Sequence, residues 1–153
     1  MPRHQERRTL PYTAKQMYDL VADVERYPEF LPWCIGARIF KRMDKEFWAD
    51  LVIGFKMFRE KFTSRVRLEP ETRIEVDYVK GPLRHLHNHW VFEDAGEGHC
   101  VVDFEVDFEF KNPVFEKLVG ALFSDAVHRM VFAFESRARE LYQPPSDEAF
   151  EDA

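Results

Sequence analysis

Three histidines alternate along one stretch, His85, His87 and His89. Alternate residues of an extended chain share a face, so two of them could chelate a metal ion. The outer pair lie about 13 Å apart at ~3.3 Å per residue. A third ligand would have to come from elsewhere, and zinc takes four. Leu86, Asn88, Trp90 and Phe92 fill the other face. The histidines are therefore expected on the solvated side beside Asp103, Glu105 and Asp107, with no metal site. Ser124, Asp125 and His128 fall at helical spacing, but no oxyanion donor accompanies them. Cys34 and Cys100 lack CxxC spacing and read as buried free thiols. No phosphate-binding loop or dinucleotide fingerprint appears. Ser64, Tyr78 and Asn88 stand on strand faces that are otherwise apolar. A buried polar group left without a partner costs about 1–3 kcal/mol. Their partners are either the backbone or the polar end of a ligand.

The elements that hold these residues emerge from the apolar period. Residues 4–10 read as a strand ended by Pro11, and Thr13 caps a helix over 14–24 with Met17, Leu20, Val21 and Val24 inward. Pro28 and Pro32 limit the next stretch to a broken helical turn. The period then changes to two over residues 34–43, 46–55, 58–68, 73–78, 83–92 and 100–110. Short turns join these strands, with a Gly-rich hairpin at 94–98, so an antiparallel meander is expected. The acidic last strand is expected to pair with the first through Arg3, Arg7 or Arg8. Asn112 and Pro113 open a helix that Pro144 and Pro145 stop. At about 1.5 Å per residue it is a rod near 45 Å long. Its apolar rows, Phe115, Leu118, Leu122, Ala126, Met130, Phe134, Ala138, Leu141 and Val119, Phe123, Val127, Val131, are too wide for a surface helix. Only a curled sheet can cover them.

A length of 153 residues suits one domain, over 1–143, and 15 phenylalanines predict a large core or an apolar cavity. The tail 144–153 is acidic and expected to be disordered. A net charge of −6 opposes binding to a phosphate backbone as the main task, so no DNA partner is expected. The first residues carry charges of both signs and lead into no apolar stretch, which predicts a cytoplasmic chain without a secretory signal.

Four segments carry a resemblance: Tyr27-Pro28-Glu29-Phe30-Leu31-Pro32-Trp33-Cys34, the stretch 55–66 (FKMFREKFTSRV), Gly81-Pro82-Leu83 and Trp90-Val91-Phe92. The chain resembles the ubiquinone-binding START-like family of the polyketide cyclase/dehydrase (SRPBCC, helix-grip) superfamily and its bacterial ribosome-association-toxin relatives. That resemblance implies an α+β helix-grip fold. A curved seven-stranded antiparallel sheet would wrap the long C-terminal helix, with two short helices after the first strand.

On the residues alone, the inward set Phe47, Leu51, Ile53, Phe62, Ser64, Val66, Tyr78, Asn88, Trp90, Phe104 and Phe108, under Leu118, Leu122, Phe123 and Met130, is a filled core or a cavity wall. The resemblance favours a cavity holding ubiquinone or a polyprenyl quinone precursor, without catalysis or a cofactor, in support of respiration or of quinone biosynthesis or delivery. The first alternative it implies is a ribosome-associating toxin, and the second is a cyclase or dehydrase. The last needs an inward acid–base pair, and the inward faces are read as having none. The hairpin residues Lys56, Met57, Phe58 and Arg59 mix apolar and cationic groups at a loop tip. They either cover the cavity mouth or touch the inner face of the cytoplasmic membrane. Trp33 is placed at the opposite rim.

Overall fold

The computed structural model describes residues 3–55 and 58–142; the side chains of Phe55, Phe58, Phe115 and residues 118–124 are outside that description. Expectations on Lys56, Met57 and the tail 144–153 therefore lie outside the described residues. Strand β1 (Arg3–Leu10) leads to helix α1 (Ala14–Ala22) and a 3₁₀ segment (Val24–Glu29). Six strands come next: β2 (Cys34–Arg42), β3 (Glu46–Phe55), β4 (Phe58–Glu69), β5 (Arg73–Lys80), β6 (Leu83–Gly96) and β7 (His99–Phe110). Helix α2 (Pro113–Tyr142) closes the order. All seven strands form one antiparallel sheet, ordered β1-β7-β6-β5-β4-β3-β2. This is the helix-grip arrangement that the alternation and the resemblance imply.

Local chemistry sets the element ends. Thr13 and Gln16 form a reciprocal capping box at α1. Asp94 Oδ1 accepts from the Ala14 N–H at 3.1 Å and fastens that end of α1 to β6. Asn112 Oδ1 accepts from the Val114 N–H at 2.8 Å, and Glu116 accepts from the Phe110 N–H at 2.7 Å, so the turn into α2 is fixed from both sides.

Several boundaries differ from expectation. Helix α1 stops at Ala22, because Asp23 (φ −86°, ψ 66°) leaves the helical region before the 3₁₀ segment starts. Strand β6 runs on to Gly96, pairing Asp94 with Cys100 and Gly96 with His99. The hairpin turn shrinks to Glu97-Gly98, where Gly96, Glu97 and Gly98 all take positive φ. On α2 the apolar row ends early: Leu141 is exposed, and Tyr142 packs instead against Tyr12 at a ring separation of 6.2 Å.

The core sits at one end of the concave face. Phe47, Ala49, Val66, Ile74, Trp90, Phe92, Val102 and Phe104 of the sheet meet Met17, Leu20 and Val21 of α1 and Phe134 and Ala138 of α2. Phe134 is the hub, with ring centroids 5.5, 5.3 and 5.3 Å from Tyr27, Phe30 and Trp90.

One turn depends on glycine. Gly81 has φ 147°, and a Cβ there would stand 3.0 Å from both the Lys61 carbonyl oxygen and the Tyr78 hydroxyl. Gly81→Ala is therefore expected to lower stability by about 1–3 kcal/mol, read as a shift of the urea midpoint.

Cys34 and Cys100 are buried and unpaired, and burial pushes both thiols up, Cys100 to about 11. An unfolded thiol ionises near ~8.5. The stability this difference contributes is present below that pH and is lost as pH rises toward the folded value. At pH 8 neither thiol should react with a disulfide reagent in the native protein. Both should react once the chain is denatured.

Candidate functional site

Cross-strand register gathers the inward residues on the concave face. Phe47 lies opposite Val66, Leu51 opposite Phe62, Ser64 opposite Tyr78, Trp90 opposite Phe104, and Asn88 between Val76 and Val106. They do not form one uniform wall. Phe47, Ser64, Val66, Trp90 and Phe104 are buried in or beside the core. Leu51, Ile53, Phe62, Tyr78, Asn88, Phe108 and Met130 are half-buried, toward the end of the sheet that carries the β3–β4 hairpin. Leu118, Leu122 and Phe123 belong to α2, but their side chains lie outside the described residues.

Between the two regions the polar groups differ in how they are satisfied. The Tyr78 hydroxyl accepts from the Leu83 N–H at 3.0 Å and so holds the Gly81-Pro82 turn. Asn88 Oδ1 is buried and has no hydrogen-bond partner among the described residues. A void of about 40 Å³ opens beside the core, walled by Trp90, Val102, Phe104, Val131 and Phe134. Such a space takes roughly one water-sized group.

The lip of this void is charged, which apolar periodicity did not reveal. The pairing Glu6↔Phe104 and Arg8↔Val102 turns these side chains, with His4, onto the concave face. Arg8 bonds Glu6 on its own strand and reaches Glu135 of α2 at 2.9 Å. His4 meets Glu6 at 2.9 Å. Burial works against the Glu6 carboxylate, but the hydrogen bonds from Arg8 and His4 together outweigh it and hold the carboxyl below its ordinary value. The concave face thus does carry an acid beside an imidazole. The acid is held ionised, which suits it poorly to donating a proton. Arg3 and Arg7 point outward, to Glu105 at 3.1 Å and Asp103 at 3.0 Å.

Of the expected contact residues, Arg59 and Trp33 fall at one end. Arg59 is exposed at the start of β4, while Lys56, Met57 and the Phe58 side chain lie outside the description. The Trp33 carbonyl accepts from the Gly54 N–H at 2.9 Å. That bond places Trp33 beside the β3–β4 hairpin, not across from it, because antiparallel pairing brings the start of β2 to the end of β3. Among the described residues no helix is long and apolar enough to cross a membrane. On the convex face His85 bonds Asp107 at 2.9 Å, and His87 and His89 gather near Glu75.

A curled sheet gripping a long helix, with an apolar concave face and a charged lip, defines a START-like binding fold. The family described as polyketide cyclase / dehydrase and lipid transport matches residues 10–135, and the chain belongs to it. It is 38% identical over 133 residues to the ribosome association toxin RatA of Pseudomonas aeruginosa, covering 87% of this chain and 92% of that one. It is 33% identical over 143 residues to the mitochondrial coenzyme Q-binding protein COQ10 homolog B of Xenopus laevis, covering 91% of this chain and 59% of that one. A START superfamily protein from Mycobacterium smegmatis has the same fold, with a TM-score of 0.78 at 19% identity over 91% of this chain and 98% of that one.

Proposed function

We propose that the protein binds a polyprenyl quinone, ubiquinone or a close precursor, on its concave face and carries it without transforming it. The observation that carries this reading is Asn88, whose buried oxygen has no partner among the described residues on a wall of Val76 and Val106. A side-chain amide offers an acceptor to a quinol hydroxyl and, turned over, a donor to a quinone carbonyl. The half-buried row of Leu51, Ile53, Phe62 and Phe108 leads from Asn88 toward the hairpin end and suits an isoprenoid tail. Each CH₂ that leaves water there contributes about 0.8 kcal/mol. The void of 40 Å³ is far smaller than a quinone ring. The Arg8–Glu135 pair bridges the seam between β1 and α2 beside that void, the seam along which α2 would part from the sheet to admit a larger group there. The coenzyme Q-binding relative and the lipid-transport description of the family support this choice. The carrier works in the cytoplasm and delivers at the membrane surface through the hairpin end.

Titrating the protein with short-tailed ubiquinone should quench the emission of Trp90, and the quenching should largely disappear in Trp90→Phe. Unchanged emission, with no binding by calorimetry, contradicts the reading.

A second reading, association with the ribosome, is favoured by the name of the RatA relatives and by one surface. Edge strand β2 exposes Arg38 and Lys41, and Lys41 Nζ lies 4.6 Å above the Trp48 ring. Arg65 and Arg67 of β4 are instead paired, with Glu46 at 2.6 Å and Asp77 at 2.8 Å. Co-sedimentation with purified large subunits separates the two readings.

A further inference from the structure

The convex face carries a cluster that the concave site does not use. Strand β6 presents His87 and His89 there, and β5 sets Asp77 opposite His87 and Glu75 opposite His89. His89 Nδ1 lies 3.5 Å from His87 Nε2. The same Nε2 lies 3.7 Å from Glu75 Oε2. One ligand atom from each of the three side chains falls within 4.8 Å of the others. These separations are long for hydrogen bonds. They are close to the edge of a zinc tetrahedron, in which ligands at 2.0–2.2 Å stand about 3.3–3.6 Å apart.

We propose that Glu75, His87 and His89 bind a divalent transition-metal ion of the zinc type, with the remaining position open to water. All three ligands stand on strands whose spacing is set by ladder hydrogen bonds, so little ordering remains for the ion to impose. His87 also has the backing that ligand imidazoles need. Its Nδ1 lies 3.8 Å from Asp77 Oδ1, so a small side-chain adjustment gives an Nδ1–H donor to that carboxylate and leaves Nε2 bare for the metal. Asp77 is in turn held by Arg67 at 2.8 Å. Arg67 also stands 3.8 Å from Glu75 Oε2, and it is the group the ion must displace. Arg73 Nε, at 3.7 Å, approaches the other oxygen, Glu75 Oε1. His85 does not join the set, because Asp107 engages it at 2.9 Å. Three protein ligands and a free position describe an open site, in contrast with the closed four-ligand structural kind. The His87 side chain is 40% exposed, so the ion enters directly from solvent.

The test uses the untagged, metal-stripped full chain, titrated with zinc by calorimetry and with cobalt by visible absorption. The expected result is a single ion per chain and the strong d–d bands of four-coordinate cobalt. His87→Gln, His89→Gln and Glu75→Gln should each weaken zinc binding by at least about tenfold. His85→Gln should leave it within about twofold. Zinc should raise the thermal midpoint of the wild-type chain and not that of His87→Gln. Circular dichroism checks that each variant folds, and three separate ligand substitutions keep the result independent of any one of them. Failure of the wild-type chain to take up zinc, or an affinity unchanged in both histidine variants, overturns the site.

Discussion

Phe134→Ala should destabilise the protein by about 3–5 kcal/mol, the range for emptying a buried aromatic site. Phe134 is 5% exposed, and its ring touches Tyr27, Phe30 and Trp90 together. These contacts join the 3₁₀ segment, the sheet and α2. The surroundings cannot collapse easily around a smaller side chain. Tyr27 is anchored by its hydroxyl to the Val21 carbonyl. Phe30 is stacked under Arg137, whose guanidinium is 5.3 Å away and bonded to Glu29 at 2.6 Å. The substitution should therefore leave a void that merges with the 40 Å³ space beside Trp90. Urea unfolding followed by circular dichroism measures the effect. A loss under about 1 kcal/mol would show that α2 is docked by other contacts.

Asn88→Leu should separate binding from stability. The leucine keeps the branched shape of the amide and removes a buried oxygen that has no partner among the described residues. Removing such a group leaves folding stability unchanged or raises it. The same change takes away the side-chain amide between Val76 and Val106, so a quinone head loses its hydrogen bond. At about 1–3 kcal/mol for a buried hydrogen-bonding group left unpaired on the ligand, affinity for short-tailed ubiquinone should fall roughly five- to 150-fold. Calorimetric titration and a denaturation curve on the same sample give both numbers. Full affinity in the variant would remove Asn88 from the site.

Much of the fold is legible in period and punctuation. Alternation along β3, β4 and β7 marks inward and outward residues, and Thr13, Asn112 and the prolines mark helix ends. The features that were not legible depend on pairing between distant segments. β1 has no apolar alternation, so nothing local shows that Glu6 and Arg8 turn inward while Arg3 and Arg7 turn outward. Its register with β7 decides that. The length of β6 depends on Asp94, whose carboxylate is taken by the start of α1, 80 residues away in sequence. The histidine row was visible, but its third metal-spaced group, Glu75, is supplied by the neighbouring strand. Whether the concave face is hollow or filled is a matter of packing density, which one-dimensional patterning does not encode.

The inward residues divide accordingly. Phe47, Val66, Trp90 and Phe104 serve as core, and Tyr78 holds a turn. Asn88 and the half-buried row toward the hairpin end are the residues the proposed quinone site uses. On this division α2 has an anchored C-terminal half, at Phe134 and Ala138, against which a bound tail can be accommodated farther along.

Native mass spectrometry of the protein purified from its own source tests quinone carriage most directly, with organic extraction of the same sample. The expected result is a one-to-one adduct whose mass and extract match a polyprenyl quinone, with occupancy reduced in Asn88→Leu. A quinone-free extract, with no mass shift after incubation with ubiquinone, would contradict it.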